Sequence, residues 1–460
     1  MDETYDVIVI GGGAGGVVAA IRAAQLGGKV AVVEGYQLGG LCMNRGCVPF
    51  GHMMVASRFL GNLGLARDMG ITCPGISKDV SILFNRQKEL IAFMQQGVKT
   101  ILSKRKIALV TGKAKLSGPG RVEVNGKTLS ATAIILASGA RWVKPDFPGS
   151  DLSQVANSEY LLTAKALPKA CLVYGGGHWS IEIAQFLNRF GCRVHLANQG
   201  EALLQDESKT IRSRLVKALQ AQGISTLNGA KSVSLKRKTG GIEALVSARD
   251  KEEAIQVDLV IAGHRCAALK GLGLGTVGLD ETAEFLPVNE RMETGVKGLY
   301  AIGDLTGPEK KHFSHVASAG GLVAAENAMG MSAVFNKRTA ARIAFTSPQV
   351  ACVGLTGKEA KAQGCEVVVG AAPLSMNTFG MITAQTDGLV EIVADKRYGE
   401  ILGVHIIGDG ACEMIGQGVL AIQQEMTLEE LARTPFPHPT LSESVAEAAR
   451  DALGTGIYLP

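Results

Sequence analysis

Short apolar runs separated by glycine-rich turns characterise the start of the chain. Residues 6–10 form a nearly continuous apolar run, residues 17–26 are rich in alanine, and residues 29–34 form a second apolar run that ends in Glu34. Continuous apolar runs of this length are typical of parallel strands that are buried on both faces. The pattern predicts a strand–helix–strand unit near the N-terminus.

The same pattern recurs in the middle of the chain. Residues 171–174 predict a strand, residues 181–190 a helix and residues 192–197 the next strand. Two such units are typical of an α/β fold with two Rossmann-like dinucleotide-binding domains. Outside the two units, the apolar pattern predicts one long helix and two further strands that each end in a glycine turn: residues 79–106, 133–139 and 298–304.

The pattern changes after residue 336. Strands of an antiparallel sheet are predicted at residues 344–354, 367–373, 389–395 and 401–407. Helices are predicted at residues 411–425, 427–432 and 441–453. Strands followed by helices indicate a separate α+β domain at the C-terminal end.

A glycine fingerprint follows the first predicted strand. Gly11, Gly13 and Gly16 lie in the turn, and Glu34 comes 18 residues beyond Gly16. In dinucleotide-binding units the first glycine makes the tight turn, the second admits the pyrophosphate, and the third lets the helix pack closely on the strand. The helix N-terminus faces the phosphates, and the acid hydrogen-bonds a ribose hydroxyl. The ordered strand, triplet, helix, strand and acid predict a bound dinucleotide.

The second unit departs from this fingerprint. Gly175 and Gly177 lie in its turn, Ser180 replaces the third glycine, and Asn198 stands at the position of the acid. One interpretation is a Rossmann-like unit that binds nothing. The presence of two units in one chain favours the other, in which each unit binds its own dinucleotide.

Composition narrows the class of protein. The 460 residues suffice for about three domains of ~150 residues each. Glycine is abundant at 58 residues and aromatic residues make up only 5%, which suits α/β nucleotide-binding folds. A net charge of +5 gives no argument for a nucleic-acid or membrane partner. No apolar run reaches the ~18–20 residues of a membrane span, and most of the nine cysteines are scattered singly, so we expect a cytoplasmic protein.

Cys42 and Cys47 form a pair separated by four residues and flanked by glycines. This is the wrong spacing for the usual zinc knuckle, and we predict no metal site. The pair can close a short disulfide loop at the start of a helix, where a thiol has a lowered pKa. Two interpretations remain, ordinary reduced thiols or a redox-active disulfide, and the dinucleotide fingerprint just upstream favours the second.

Taken in order, these motifs resemble the flavin-dependent pyridine nucleotide–disulfide oxidoreductases, and most closely their dihydrolipoamide dehydrogenase branch. The resemblance covers essentially the whole chain. Each motif alone is moderately specific, whereas their order is highly specific. Besides the two glycine turns, it rests on the cysteine loop, three internal motifs and the C-terminal tail: residues 39–49, 137–139, 294–304, 345–356 and 438–443.

The resemblance implies the organisation of the molecule. It implies an FAD-binding domain in two parts, residues 1–149 and 271–338, an NAD-binding domain at residues 150–270, and an interface domain at residues 339–460. It also implies a homodimer, because the C-terminal histidine of one subunit acts on the disulfide of the other. The implied reaction converts a dihydrolipoyl group, on a carrier protein or as free dihydrolipoamide, to a lipoyl group and reduces NAD.

The resemblance also implies roles for individual residues. Cys42 would exchange with the substrate sulfur, Cys47 would face the flavin, and His438 would act as general acid/base oriented by Glu443. The residues implied in binding the cofactors are Gly11, Gly13, Gly16, Glu34, Gly40, Ser138, Gly139, Gly175, Gly177, Ser180, Glu182, Asn198, Gly263 and Asp304.

Several positions depart from the family pattern. The family usually has Ser-Lys after the Cys-x-Pro, with the lysine paired to a glutamate near the flavin; here Phe50 and Gly51 stand there, and Glu182 remains. His52 could take the place of the lysine. The nicotinamide side is also altered, at residues 178, 180, 198 and 263–266.

These departures keep three alternatives open. They are a reductase of another small disulfide, an enzyme for a specialised lipoyl carrier, and a flavoprotein scaffold with impaired nicotinamide turnover. NAD is expected rather than NADP, because residues 198–205 contain no lysine or arginine for a 2′-phosphate.

Overall fold

The computed structural model describes residues 3–249, 251–308 and 312–459. The helices and strands of the N-terminal segment, in chain order, are β1 Glu3–Ile10, α1 Ala14–Gln25, β2 Val30–Glu34, α2 Gly40–Arg45, α3 Cys47–Gly61, α4 Leu63–Asp68, α5 Val80–Lys104, β3 Ala108–Thr111, β4 Ala114–Gly118, β5 Arg121–Val124, β6 Lys127–Leu136 and β7 Ala140–Val143.

The middle of the chain continues with β8 Val155–Ala156, β9 Ala170–Tyr174, α6 His178–Arg189, β10 Arg193–Asn198, α7 Lys209–Ala221, β11 Ser225–Asn228, β12 Ala230–Lys238, β13 Gly241–Ala248, β14 Lys251–Val257, β15 Leu259–Ala262, β16 His264–Ala267, β17 Leu299–Ala301 and α8 Ser314–Ala328. The C-terminal segment contains β18 Arg342–Ala344, β19 Val350–Gly354, α9 Gly357–Ala362, β20 Val367–Pro373, α10 Thr378–Ile382, β21 Leu389–Asp395, β22 Ile401–Ile407, α11 Ala411–Gln423, α12 Leu428–Arg433 and α13 Glu443–Ala452.

The chain divides into two compact units. The first comprises Met1–His52, Ser81–Lys144 and Gly263–Lys337, and the second comprises Met53–Val80, Pro145–Ala262 and Arg338–Pro460. The predicted four-segment domain boundaries remain a prediction.

The first unit is built on a sheet with the strand order β3-β2-β1-β6-β5-β4, and β17 also pairs with β6. β1, β2, β3, β6 and β17 pair in parallel, whereas β4, β5 and β6 form an antiparallel meander. Side chains alternate along β1: Val7 and Val9 pack on the alanine face of α1, and Ile8 and Ile10 pack towards β4 and β5. Both faces of β1 are therefore buried, which explains its continuous apolar run.

The second unit contains three sheets. A parallel sheet has the order β11-β10-β9-β15-β8, and β12-β13-β14 form an antiparallel meander. The C-terminal sheet is antiparallel with the order β18-β19-β22-β21-β20. One face of the C-terminal sheet packs against α11, α12 and α13 through a buried aliphatic cluster.

Most predicted elements are observed within one to three residues of their predicted bounds. The long helix predicted at residues 79–106 is α5, and β20, β21 and β22 have the predicted bounds. The single strand predicted at residues 344–354 is wrong, because β19 occupies only its last five residues and Ala344 is the end of a separate antiparallel strand, β18. Pro348 lies between them, and a proline lacks the N–H that a continuous strand would need. No helix of the described residues is long and apolar enough to cross a bilayer.

Candidate active site

The two predicted redox cysteines lie on consecutive helices of the first unit. Cys42 lies in the first turn of α2, and Cys47 is the first residue of α3, with Gly46 breaking the helix between them. Both are free thiols in this structure, and a hydrogen bond joins their side chains. Positive φ angles of 98° at Gly39 and 60° at Gly40 turn the chain into α2. Glycine adopts these angles without strain.

The two thiols have very different proton affinities. The hydrogen bond from Cys47 lowers the pKa of Cys42 to about 7, against the opposing effect of burial. The same hydrogen bond, the surrounding protein and the Cys42 charge all raise the pKa of Cys47 above its usual value. The first proton lost from the reduced pair therefore leaves a thiolate at Cys42, which suits its predicted role as the exchanging sulfur.

The first glycine turn lies directly beside this loop. A Cβ on Gly40 would come within 2.7 Å of the Gly13 Cα, and a Cβ on Gly16 would collide with the Gly11 carbonyl. Gly13 caps α1, and no side chain of the described residues satisfies the N–H groups at that helix end. Those free N–H groups and the absence of side chains fit a dinucleotide pyrophosphate.

Glu34 organises the turn. One carboxylate oxygen accepts from the Gly12 N–H at 2.7 Å and the other from the Tyr36 N–H at 2.7 Å. The remaining lone pairs of a carboxylate still suffice for a ribose hydroxyl. Its predicted contact with a ribose stays a prediction.

Three more predicted flavin-side positions lie in the same compact unit. Ser138 donates from its hydroxyl to the Ala268 carbonyl at 3.1 Å, and Gly139 has a φ of 70°. Asp304 lies 3.6 Å from the buried guanidinium of Arg265 and 3.9 Å from the His312 imidazole. Gly263 precedes β16, which carries Arg265. The predicted polyol contact of Asp304 is compatible with this placement and remains a prediction.

The second glycine turn has the geometry of the first, but different side chains lie beside it. Gly175 has a φ of 147°, and Gly177 caps α6 in an extended conformation. Ser180, which replaces the third glycine, faces the position of a Cβ on Gly175. Asn198 donates to the carbonyls of Gly200 at 3.0 Å and Ala202 at 2.9 Å, and its side-chain oxygen accepts from the Gly200 N–H. Asn198 therefore shapes the loop that follows β10, and its predicted ribose contact stays a prediction.

The resemblance links Glu182 and Gly51 to the missing lysine, and the two residues lie in different compact units. Glu182 is only 4% exposed and accepts a hydrogen bond from the Phe345 N–H at 2.8 Å. A Cβ on Gly51 would have no neighbour within 4 Å, so this position has room for a side chain. Burial, with the nearby charge of Arg86, lowers the pKa of His52. This shift favours the neutral imidazole. The prediction that His52 takes the place of the lysine stays a prediction.

His438 and Glu443 form the predicted pair in the second unit. The His438 Nδ1 lies 2.9 Å from one Glu443 oxygen, and the other oxygen accepts from the Thr440 N–H at 2.8 Å. The imidazole side chain is 64% exposed and lines a cavity of about 230 Å³ together with Phe436 and Tyr458. Glu443 is thus fixed by the backbone and orients an accessible imidazole, as an acid/base pair requires.

One polar cluster was not predicted from the sequence. Arg342, Cys352 and His405 are cross-strand neighbours in the C-terminal sheet, and Glu207 lies beside them. Among the described residues, Glu207, Cys352 and His405 are the group with metal-ligand chemistry in mutual reach. Both Glu207 oxygens, however, accept hydrogen bonds from Arg342 at 2.6 and 2.8 Å. The cluster is a largely buried ion pair, and cross-strand register, which a single sequence does not reveal, brings it together.

Comparisons with known proteins cover the whole chain. Residues 5–332 match the family described as pyridine nucleotide-disulphide oxidoreductase, and residues 340–449 match the dimerisation domain of that family. The chain is 36% identical to a dihydrolipoyl dehydrogenase of Thermus scotoductus over 97% of both chains. It is 33% identical to a dihydrolipoyl dehydrogenase of Bacillus subtilis over the full length of both chains. The crystal structure of LpdA from Mycobacterium tuberculosis is similar, with a TM-score of 0.87 and 26% identity over 97% of this chain and 99% of that one.

Proposed function

Because the chain belongs to the pyridine nucleotide-disulphide oxidoreductases, we propose that it oxidises a dihydrolipoyl group and reduces NAD. Family membership confirms the predicted fold class, the oxidoreductase class and the two cofactors, FAD and NAD. The observation that carries the proposal is the Cys42–Cys47 pair, placed against the glycine turn of the first dinucleotide unit.

The chemistry of the pair follows from its thiols. In the oxidised enzyme we propose a disulfide between Cys42 and Cys47. A substrate thiolate attacks the Cys42 sulfur, a mixed disulfide forms, and Cys47 leaves as a thiolate. The second substrate thiol then attacks the mixed disulfide, so the substrate is oxidised by two electrons and the cysteine pair is reduced. FAD and NAD, when bound, supply the path by which those two electrons leave the pair.

His438 moves the protons of this exchange. Its imidazole removes a proton from the substrate dithiol, and Glu443 holds the ring through Nδ1 so that Nε2 faces outward. We propose that the protein is a homodimer in which His438 serves the partner subunit's Cys42. The exposure of His438 and the match of residues 340–449 to a dimerisation domain support this arrangement.

We propose NAD rather than NADP as the physiological acceptor, in the cytoplasm. Residues 198–205 contain no lysine or arginine, and Glu201 would repel a 2′-phosphate. The nine cysteines are all free thiols in the described structure, which suits a reducing compartment.

Departures from the family pattern on both cofactor sides favour two further candidates, an enzyme for another small disulfide and an enzyme for a specialised lipoyl carrier. Gly51 removes a charge on the predicted flavin side, and Asn198 removes one on the predicted nicotinamide side.

A steady-state comparison tests the proposal. Flavin-loaded protein is assayed for NADH-dependent reduction of lipoamide, glutathione disulfide and cystine, and each assay is repeated with NADPH. We expect lipoamide with NADH to give the highest kcat/KM. A higher kcat/KM for another disulfide would replace the proposed substrate, and a preference for NADPH would overturn the proposed acceptor.

A further inference from the structure

Two helix N-termini meet at Cys47. Cys47 is the first residue of α3, and Ser314 is the first residue of α8. The Ser314 Oγ lies 3.3 Å from the Cys47 Sγ, within hydrogen-bonding distance for sulfur. Each helix contributes the positive end of its dipole at this point, which stabilises a negative charge on the sulfur.

The direction of this hydrogen bond depends on the charge of Cys47. Between two neutral groups either atom can donate. A thiolate has no proton, so the hydroxyl of Ser314 must then be the donor. A charged acceptor also makes the bond stronger than one between neutral groups.

Other charges near the pair do not replace this donor. Gly51 carries no charge, and the lowered pKa of His52 favours its neutral form. The Arg265 charge also lowers the pKa of Cys47, but Asp304 lies 3.6 Å from that guanidinium and offsets part of its field. When Cys47 is a thiolate, the Ser314 hydroxyl is therefore its direct hydrogen-bond donor. The same hydroxyl also hydrogen-bonds Cys42 and lowers the pKa of that thiol.

We infer that Ser314 is a positioning residue that stabilises the Cys47 thiolate when Cys42 is bonded to substrate. The inference rests on the proposed function and adds a residue to it. In the reduced pair, the hydrogen bond and charge of Cys42 keep the proton on Cys47. Once Cys42 enters the mixed disulfide, both effects are lost. Burial still raises the pKa of Cys47, and the Ser314 hydroxyl, the Arg265 charge and the two helix ends oppose it.

The same hydroxyl assists the breaking of the disulfide. When the substrate thiolate forms its bond to the Cys42 sulfur, the bond between Cys42 and Cys47 breaks, and its electron pair leaves on Cys47. A leaving thiol with a lower pKa departs faster. Ser314 thus stabilises the group that leaves.

A titration of Cys47 without its partner tests the inference. Cys42→Ser in the flavin-loaded protein leaves Cys47 as the single thiol of the loop. The long-wavelength absorbance of its thiolate against oxidised flavin is followed against pH. We expect Cys42→Ser/Ser314→Ala to raise the midpoint by about one pH unit, the scale of one hydrogen bond to a charged group. The titration uses no lipoyl substrate, so its result is separable from the substrate assay.

Three further variants make the titration specific. Ser314→Thr keeps the hydroxyl and should leave the midpoint unchanged. Ser314→Val has the shape of the threonine variant but no hydroxyl, so it should raise the midpoint. Ser213→Ala, on the exposed face of α7, is the control for loss of a helical serine and should change nothing. An equal midpoint for the threonine and valine variants would overturn the inference. Absence of the absorbance from Cys42→Ser itself would overturn the placement of Cys47 beside the flavin.

Discussion

At the scale of single residues, the second strand of each dinucleotide unit ends in a different side chain, and the two side chains have different hydrogen-bond partners. Glu34 accepts hydrogen bonds from the turn itself, whereas Asn198 uses both ends of its amide on the loop beyond the strand. The sequence predicts both positions from the order of strand, glycines and helix. The sequence does not predict their hydrogen-bond partners, because a side-chain amide donates to whichever backbone carbonyls the folded loop places nearby.

The acid/base pair is also a residue-scale feature. His438→Ala should lower lipoamide turnover by ~10²–10⁴-fold, because proton transfer with the dithiol loses its base. Glu443→Gln should lower it less, since the ring keeps a hydrogen-bond partner at Nδ1. Rapid mixing with NADH is the control: reduction of the flavin should remain near the wild-type rate in both variants. Slow flavin reduction by NADH would show that the change acts elsewhere.

The lysine position offers a gain-of-charge experiment. Gly51→Lys should fit, because a Cβ there meets nothing within 4 Å. A cation near the flavin favours its anionic reduced form, so we expect the flavin potential to rise by about 30 mV, equivalent to about 1.4 kcal/mol for two electrons. The measurement is a spectroscopic redox titration against a reference dye.

Gly64→Lys is the matched control for this change. A Cβ on Gly64 also has no neighbour within 4 Å, and Gly64 lies on α4. The control should leave the potential unchanged. An unchanged potential in Gly51→Lys as well would contradict the view that a missing cation weakens the reduced flavin here.

At the scale of elements, periodicity predicted the long α5 and the C-terminal strands well. α5 has a long apolar pattern, whereas β20, β21 and β22 have short regular ones with a glycine or proline at one end. The meander β12-β13-β14 and the hairpin β4-β5 were not predicted. Their strands contain many exposed residues between single buried ones, so their sequence pattern resembles that of loops. Pro348 and the polar residues Thr346, Ser347 and Gln349 separate β18 from β19, so the apolar pattern is interrupted between the two strands.

We expect the ion pair of Arg342 and Glu207 to stabilise the C-terminal sheet, and a substitution measures its contribution. Arg342→Met should lower the free energy of unfolding by ~2–3 kcal/mol, below the range for fully buried pairs because the Arg342 side chain is 26% exposed. Chemical denaturation is the measurement. Lys115→Met, which breaks an exposed pair with Glu123, is the control and should cost less than ~1 kcal/mol.

This destabilisation should depend on pH. Burial opposes the charge of Glu207, but the hydrogen bonds and charge of Arg342 outweigh it and lower the pKa of Glu207. A lowered pKa stabilises the fold above the unfolded pKa, and the effect is lost as pH falls through the folded pKa. The difference between wild type and Arg342→Met should therefore shrink at acid pH. A difference that stays constant down to acid denaturation would contradict the role of the pair.

At the scale of the whole molecule, the order of motifs predicted the fold class and family correctly. Fingerprint, cysteine loop, second turn and tail follow one another along the entire chain, so many weak signals add up. The division into compact units could not be predicted, since it depends on long-range packing between segments far apart in sequence. The proposed pairing of Cys42 with His438 likewise involves two subunits.

Subunit mixing tests the proposed shared site. Inactive His438→Ala chains and inactive Cys42→Ser chains are combined under conditions that allow subunit exchange. A heterodimer then contains one site with both a native Cys42 and a native His438, so activity should return to at most one working site per dimer. Exchange is verified with differently tagged chains. No recovery after verified exchange would contradict a site built from two subunits.

In the proposed reaction, the electrons of a dithiol pass through Cys42 and Cys47 to NAD. An anaerobic titration of the flavin-loaded protein, first with dihydrolipoamide and then with NAD, tests it by the flavin spectrum. We expect dihydrolipoamide to change the flavin spectrum, and NAD to restore the oxidised spectrum with formation of NADH. The spectrum of the Cys42→Ser variant should not respond to the dithiol. A flavin that ignores dihydrolipoamide, or that is reduced by it and never passes electrons to NAD, would contradict the account.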